Sequence, residues 1–239
     1  MTAVLVQRVA VTYTADEATI GPGVNGAPTI TTTSGNALVI AVAGRNATNP
    51  VTGVTDSAGN AWAQILNISI ASGMTLSIWR TTAASPTGLS SGTITATVAT
   101  STTIAAEVFE ISGANNAALV DQSASAANVS STAIASGATA ALAAANELAL
   151  GILAFAAVRT LSATPAFTQG AEGTSYPSAT GIDSSTGSSQ TNMHAGTLAI
   201  TTTAGQSYTA TLSSASAWCA ATLVIASAAA VTGQLVGVN

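Results

Sequence analysis

Residues that could carry out chemistry are few in this chain. The run VTDSAGNAWAQ (residues 54–64) sets an acid, a glycine, an amide and a tryptophan close together, so it could form a metal loop, a sugar-binding platform or a turn. A calcium loop needs several carboxylates in register, and no second acid lies within ten residues of Asp56. Asp, Ser, Gly and Asn are the residues that tight turns require, and both flanks read as strands. We therefore predict a turn in this run.

The other candidates for catalysis are isolated from one another in the sequence. His194 is the only histidine and the chain has no lysine, so an imidazole-based metal site or a catalytic triad would depend on that one residue. We predict a structural or surface histidine, and we expect no catalytic residue, metal or cofactor. Glu107 and Glu110 are three apart, so in a strand they lie on opposite faces and cannot pair as acid and base. We predict that they form a strand-end polar contact and a partner for an arginine.

Composition argues against several classes of partner. Of 239 residues 48% are hydrophobic and only 5% charged, and four arginines stand against nine acids for a net charge of −5. Nucleic acids and anionic membranes are therefore poor partners, since both are bound through clustered cations. The single Cys219 lies in an apolar run, which predicts a small buried side chain. The first 14 residues lack the basic region of a signal peptide, so we expect the chain to stay in the cytoplasm of the cell that makes it, unless lysis releases it.

The longest apolar segment, residues 140–158, is almost long enough to span a bilayer. Asn146 and Glu147 lie near its middle, where a carboxylate costs roughly 3 kcal/mol on insertion scales. We predict a linker followed by a buried strand.

Alternation of apolar and hydroxyl residues is the dominant pattern of the chain. In GTITATVAT and YTATLSS every second residue is apolar, which indicates half-buried antiparallel strands. Other runs, among them ALVIAVAG, ELALGILAF and ATLVIAS, are apolar on both faces, as covered strands are. Turn clusters separate these runs, and no helix with caps is evident. The pattern predicts an all-β fold, an antiparallel β-sandwich of jelly-roll or Greek-key type with little or no helix.

An internal echo bears on the number of domains. SGNALVIAVAG resembles AANELALGILAF about 110 residues later, and TITATVATSTTIAAEVFEIS resembles SYTATLSSASAWCAATLVIAS at a similar offset. Two stacked domains, or one sandwich whose halves share a strand plan, would both explain it. Because no charged or Pro-rich linker divides the halves, we favour a single domain over residues 1–229. It would contain an N-terminal strand (2–14) and a long surface loop (170–195), followed by a C-terminal extension (230–239).

The order of segments resembles a known family. GNALVIAVAGR, VTDSAGNAWAQ, MTLSIWRTTAASPTGLSSGTITATV, IAAEVFEISGANNAALVDQSASA, ANELALGILAF and SAWCAATLVIAS follow one another over residues 30–227. This series is similar to an uncharacterised jelly-roll-like β-sandwich domain family found in structural proteins of tailed bacteriophages and in bacterial surface proteins. The tyrosine of the family's "EysG" strand is not kept in this chain, which has Ile111 and Ser112 between the glutamate and the glycine. The shared motifs are turns and core strands, and a shared fold does not transfer a function.

The resemblance implies a structural virion protein, not an enzyme. With no signal peptide evident, we expect a capsid decoration protein on the outer surface of the head, in contact with the major capsid protein or other virion subunits and forming a homo-oligomer. The candidate assembly contacts are apolar residues near the two ends: Val4, Val6, Val231, Leu235 and Val236. One alternative is a minor tail or receptor-binding component that recognises host glycan, and another is a secreted carbohydrate-binding or adhesion module. The candidate glycan contacts are Trp62, Trp79 and Tyr176.

Overall fold

The chain folds almost entirely into antiparallel β-sheet. A computed structural model describes residues 1–12, 17–45, 51–70, 73–156, 159–173 and 191–229. Strands account for 62% of the structure and helix for 2%, the latter including a 3-10 turn at Asn116–Ala118. The predicted all-β antiparallel sandwich is therefore confirmed, whereas the jelly-roll subtype stays a prediction.

The described residues form three sheets. The five-stranded sheet has the order β1-β8-β3-β6-β5 and the six-stranded sheet the order β12-β11-β14-β10-β13, with β9 also paired to β14. The three-stranded sheet has the order β2-β7-β4. The first seven strands are β1 Val4–Thr12, β2 Glu17–Ile20, β3 Ala37–Gly44, β4 Val51–Asp56, β5 Trp62–Ile70, β6 Met74–Thr81 and β7 Ile94–Thr102. The others are β8 Ile104–Ser112, β9 Val120–Ala135, β10 Glu147–Ala156, β11 Ala166–Phe167, β12 Gly170–Ala171, β13 Thr191–Ile200 and β14 Tyr208–Ile225.

The five-stranded sheet lies between the other two and is covered on both faces. Along β3, Val39 and Ala41 belong to the apolar cluster shared with the six-stranded sheet. Leu38 and Ile40 belong to the cluster shared with the three-stranded sheet. This double coverage explains why ALVIAVAG shows no polar alternation. A third cluster covers the outer face of the six-stranded sheet.

The sequence echo has a structural counterpart. β3 lies between β8 and β6, and β10 lies between β14 and β13. β1 and β2 pair with β8 and β7, just as the two ends of β9 pair with the two ends of β14. The two halves therefore supply comparable strands, as the echo predicts.

The predicted surface loop at 170–195 is wrong at its ends. β12 occupies Gly170–Ala171, and β13 begins at Thr191, so the last five residues of the proposed loop are buried strand. The Ser- and Gly-rich composition concealed this strand, because Thr191 and Asn192 take positions where apolar residues would signal burial. Residues 174–190 lie outside the described residues, as do the C-terminal extension 230–239 and the last two residues of the predicted N-terminal strand.

Candidate functional sites

The run that opened the sequence analysis forms a turn built around Asp56. The Oδ1 atom accepts hydrogen bonds from the backbone amides of Ala58 and Asn60 at 2.9 and 3.1 Å. The Oδ2 atom accepts from Asn60 Nδ2 at 3.0 Å and from Trp62 Nε1 at 2.8 Å. Gly59 adopts a φ of +74°, which favours glycine. The carboxylate is engaged in closing the turn, so the prediction of a turn is confirmed.

Trp218 is buried, whereas Trp62 and Trp79 are half-buried. Trp62 and Trp79 both pack against the apolar cluster between the five- and three-stranded sheets. Trp62 uses its indole N–H on Asp56, while the Trp79 indole nitrogen is buried and has no hydrogen-bond partner among the described residues. Both side chains therefore pack on the core, with Trp62 beside the Asp56 turn. Their role as glycan contacts stays a prediction, and Tyr176 lies outside the described residues.

The candidate assembly contacts that the structure describes lie on an edge strand. β1 is the outermost strand of the five-stranded sheet, and Val4 and Val6 are 51% and 45% exposed. Met1 beside them is also exposed, and its ammonium group donates to the carbonyl of Ala228 at 3.0 Å. Both ends of the described chain therefore meet at this edge. Val231, Leu235 and Val236 lie outside the described residues.

The chain contains a GxSxG run, contrary to the expectation from the sequence that this motif is absent. Residues 88–92, GLSSG, match the GxSxG pattern that marks the nucleophile of many hydrolases. That pattern requires a sharp turn from a strand into a helix, but this run lies in the connection between β6 and β7 and is followed by a strand. The side chain of His194, the only histidine, contacts Glu172. The structure gives this run no hydrolase context.

The two glutamates of β8 have separate roles. Glu110 accepts from Gln7 Nε2, from the Thr33 amide at 2.7 Å and from Asn36 Nδ2 at 2.7 Å, so it fastens a loop to the end of the strand. Glu107 is fully buried on the opposite face, with Arg8 Nη1 at 3.8 Å from its Oε2 atom. The predicted strand-end contact and arginine partner are both confirmed. Burial raises the pKa of Glu107 to about 7, against the opposing effect of the Arg8 and His194 charges.

A polar group that the sequence did not reveal surrounds the histidine. His194 is buried, and its Nε2 atom lies 3.1 Å from both carboxylate oxygens of Glu172. Tyr208 donates its hydroxyl to Glu172 Oε2 at 2.6 Å. Burial and the Glu172 charge raise the pKa of Tyr208 well above its ordinary value. The structural reading of His194 is therefore confirmed.

Two glycines make room for this group. Gly151 and Gly196 face each other across β10 and β13. A Cβ at Gly151 would lie 2.2 Å from Cγ of the Tyr208 ring, and one at Gly196 would lie 1.8 Å from Glu172 Oε2. The paired glycines form a slot in the sheet, and the tyrosine ring lies in it.

A pair of carboxyl groups lies near the start of β10. Glu147 is 3% exposed, and the amide of Ala143 donates to Asp121 Oδ2 at 2.8 Å. Burial raises the pKa of Glu147 to about 7, and the charge and hydrogen bond of Asp121 add to the rise. The Glu147 carboxyl can therefore keep its proton near neutral pH.

We expect Glu147→Gln to remove a penalty that grows with pH. Since the folded-state pKa of Glu147 lies above the ordinary 4.5, the stability from its protonated form is complete below pH 4.5 and is lost as the pH rises through about 7. Relative to wild type, the variant should gain about 2 kcal/mol in free energy of unfolding between pH 5 and pH 8. Urea denaturation at both pH values measures this. Asp121→Asn should give a smaller change of the same sign, and a difference independent of pH would contradict the assignment.

Cys219 lies in the core between the five- and six-stranded sheets. Burial raises the pKa of its thiol to about 12, so the thiolate needed for reaction is scarce at neutral pH. The predicted small buried side chain is confirmed.

Neither a metal site nor a related protein accompanies the polar groups of the described residues. Among the described residues, no group of three or more His, Cys, Asp or Glu could hold a metal ion. No helix in the described ranges is long and apolar enough to cross a membrane, and residues 147–156 form the buried strand expected there. No family model, curated protein or solved structure matches the chain. The resemblance described from the sequence stays a prediction.

Proposed function

We propose that this protein is a structural virion component of a tailed bacteriophage, a capsid decoration protein bound to the outer head lattice. One observation carries the proposal from the structure: the exposed apolar residues of β1, an edge strand. Val4 and Val6 interrupt an otherwise hydroxyl-rich surface, and edge strands that lack charge or proline are ready to pair with another chain. The only charged side chain of β1, Arg8, points inward to Glu107 and the carbonyl of Ala195.

The polar side chains described above are bonded to other groups within the protein, which favours a role in assembly over one in catalysis. Asp56 and Glu110 are occupied by internal hydrogen bonds, and His194 and Tyr208 converge on Glu172. Repetition over a symmetric lattice would let a small apolar contact on each copy stabilise a shell collectively. The sequence resemblance supplies the phage context.

Two measurements test the proposal. Mass spectrometry of particles purified from a lysate of the encoding phage should find hundreds of copies of this chain per particle, by comparison with the major capsid protein. A few to a few tens of copies would favour the tail or receptor-binding alternative, and absence from the particle would overturn a virion role.

A variant pair tests the surface. The protein with Val4→Asp and Val6→Asp should rebind at least about tenfold less to phage heads from which this protein has been removed. The reason is that the new charges would have to lose their water in the contact. Val129→Asp is the matched control, since Val129 is 60% exposed but lies on β9. Co-sedimentation measures the bound fraction. Equal occupancy by the double variant and by Val129→Asp would show that β1 is not the contact.

A further inference from the structure

The edge of β13 is held by groups from both sheets. Among the strands that the structure describes, β13 is the outermost of the six-stranded sheet and pairs with β10. On its other side, the Ala195 carbonyl accepts from Arg8 Nη1 at 2.8 Å, and the Thr197 carbonyl accepts from the Gly173 amide at 2.7 Å. Arg8 thus reaches from the five-stranded sheet to the edge of the six-stranded one.

Charged groups lie on both faces of this strand. Met193 and Ala195 belong to the cluster between the two sheets, on the face that meets Arg8 and Glu107. Alternation along the strand places His194 on the other face, where it meets Glu172. Tyr208 of β14 completes this side through its bond to Glu172. Only 5% of the residues in this chain are charged, and several of them lie together around β13.

Glu107 is the poorly compensated member of the group. Neither of its oxygens accepts a hydrogen bond within the described part of the chain, and its nearest cation is 3.8 Å away. The same Arg8 nitrogen is already bonded to the Ala195 carbonyl at 2.8 Å. When Glu107 is ionised, it therefore competes with that carbonyl for the guanidinium. When it is protonated, the competition ends and no buried charge remains on it.

We propose that Arg8, Glu107, Glu172, His194 and Tyr208 form a proton-dependent clasp on β13, which holds the strand most firmly in mild acid and loosens as the pH rises past neutrality. The clasp is independent of the virion role. Among the described residues, the charges that act on Glu107 are those of Arg8 on β1 and His194 on β13. Tyr208 on β14, which bonds to Glu172 after β12, is in turn influenced by the charge of Glu107. β3, which pairs with β8 on its other side, places Ala41 opposite Glu107.

The direction of the effect follows from burial. Because burial raises the pKa of Glu107 from 4.5 to about 7, the folded state holds this proton more tightly than the unfolded state does. The stability from the protonated form is complete below pH 4.5 and is lost as the pH rises through about 7. Because Arg8 bonds directly to the Ala195 carbonyl, β13 is the element expected to open first when this contribution is lost.

Hydrogen exchange followed by mass spectrometry tests the clasp. After correction for intrinsic exchange, the opening constant of the β13 peptide in wild type should rise about 50-fold from pH 5 to pH 8. β3 lies in the middle of its sheet and opens only by global unfolding, so its opening constant should stay well below that of β13 at both pH values. In Glu107→Gln the rise for β13 should fall below about threefold. Glu110→Gln is the matched control, because Glu110 is a buried glutamate on the opposite face of β8, and it should keep the wild-type rise.

Two results would overturn the proposal. One is a wild-type pH dependence of β13 that persists in Glu107→Gln. The other is an opening constant of β13 no larger than that of β3 at pH 8, which would mean that β13 opens only by global unfolding. Should Glu107→Gln fail to fold, the comparison of β3 with β13 in wild type still decides between local opening and none.

Discussion

Gly151→Ala is expected to lower the free energy of unfolding by about 3 kcal/mol, because it overfills a core that cannot yield. The new Cβ would lie between 2.2 and 2.5 Å from three atoms of the Tyr208 ring. That ring is fully buried, its centroid is 4.6 Å from that of Phe167, and its hydroxyl is bonded to Glu172. The ring can move away only by breaking these contacts. Urea denaturation of wild type and variant measures the loss.

Two comparisons show whether the tyrosine is the cause. Gly53 also lies in a strand, but nothing lies within 4 Å of a Cβ built on it, so Gly53→Ala should change stability by less than about 0.5 kcal/mol. In a Tyr208→Leu background, Gly151→Ala should cost less than half of its wild-type value, since the ring atoms are gone. The same cost in both backgrounds would mean that backbone effects, and not the ring, set the penalty.

The fold was predictable because its determinants are local patterns. Alternation identified β7 and the start of β14, and apolar runs identified β3 and β10 as covered strands. The separate three-stranded sheet was not predictable, because a strand covered on both faces has the same composition whichever sheets cover it. β13 was missed for a related reason: its buried face includes Asn192 and His194, whose burial depends on partners elsewhere in the chain.

The polar cluster could be predicted only in part. The opposite orientation of Glu107 and Glu110 follows from strand geometry, and their roles were foreseen from it. Glu172 was not singled out, because its partners His194 and Tyr208 are 22 and 36 residues away in sequence. One signal was available: a glycine in each of two apolar strands often marks the close approach of a bulky neighbour. Gly151 is such a residue in β10.

Asp56→Ala is expected to cost about 3 kcal/mol in free energy of unfolding, because one carboxylate closes the whole turn. Four donors would lose their acceptor: two backbone amides, the Asn60 side chain and the indole of Trp62. Asn60 in turn bonds both the amide and the carbonyl of Thr87, so the loss would extend to the connection before β7. Thermal and urea denaturation measure the cost, and a change in tryptophan emission would report release of the Trp62 indole.

Asp56→Asn distinguishes a structural turn from a metal-binding loop at this position. The asparagine keeps one acceptor for the amides of Ala58 and Asn60 but turns its other atom into a donor that faces donors, so about half of the cost should remain. Millimolar calcium should leave the melting temperature of wild type unchanged, because all four bonds to Asp56 come from N–H groups of the turn. Stabilisation by calcium in wild type that vanishes in Asp56→Asn would contradict the turn, since binding to the folded state alone raises stability. Without that stabilisation, the carboxylate acts by holding the β4–β5 connection closed and Trp62 against the core.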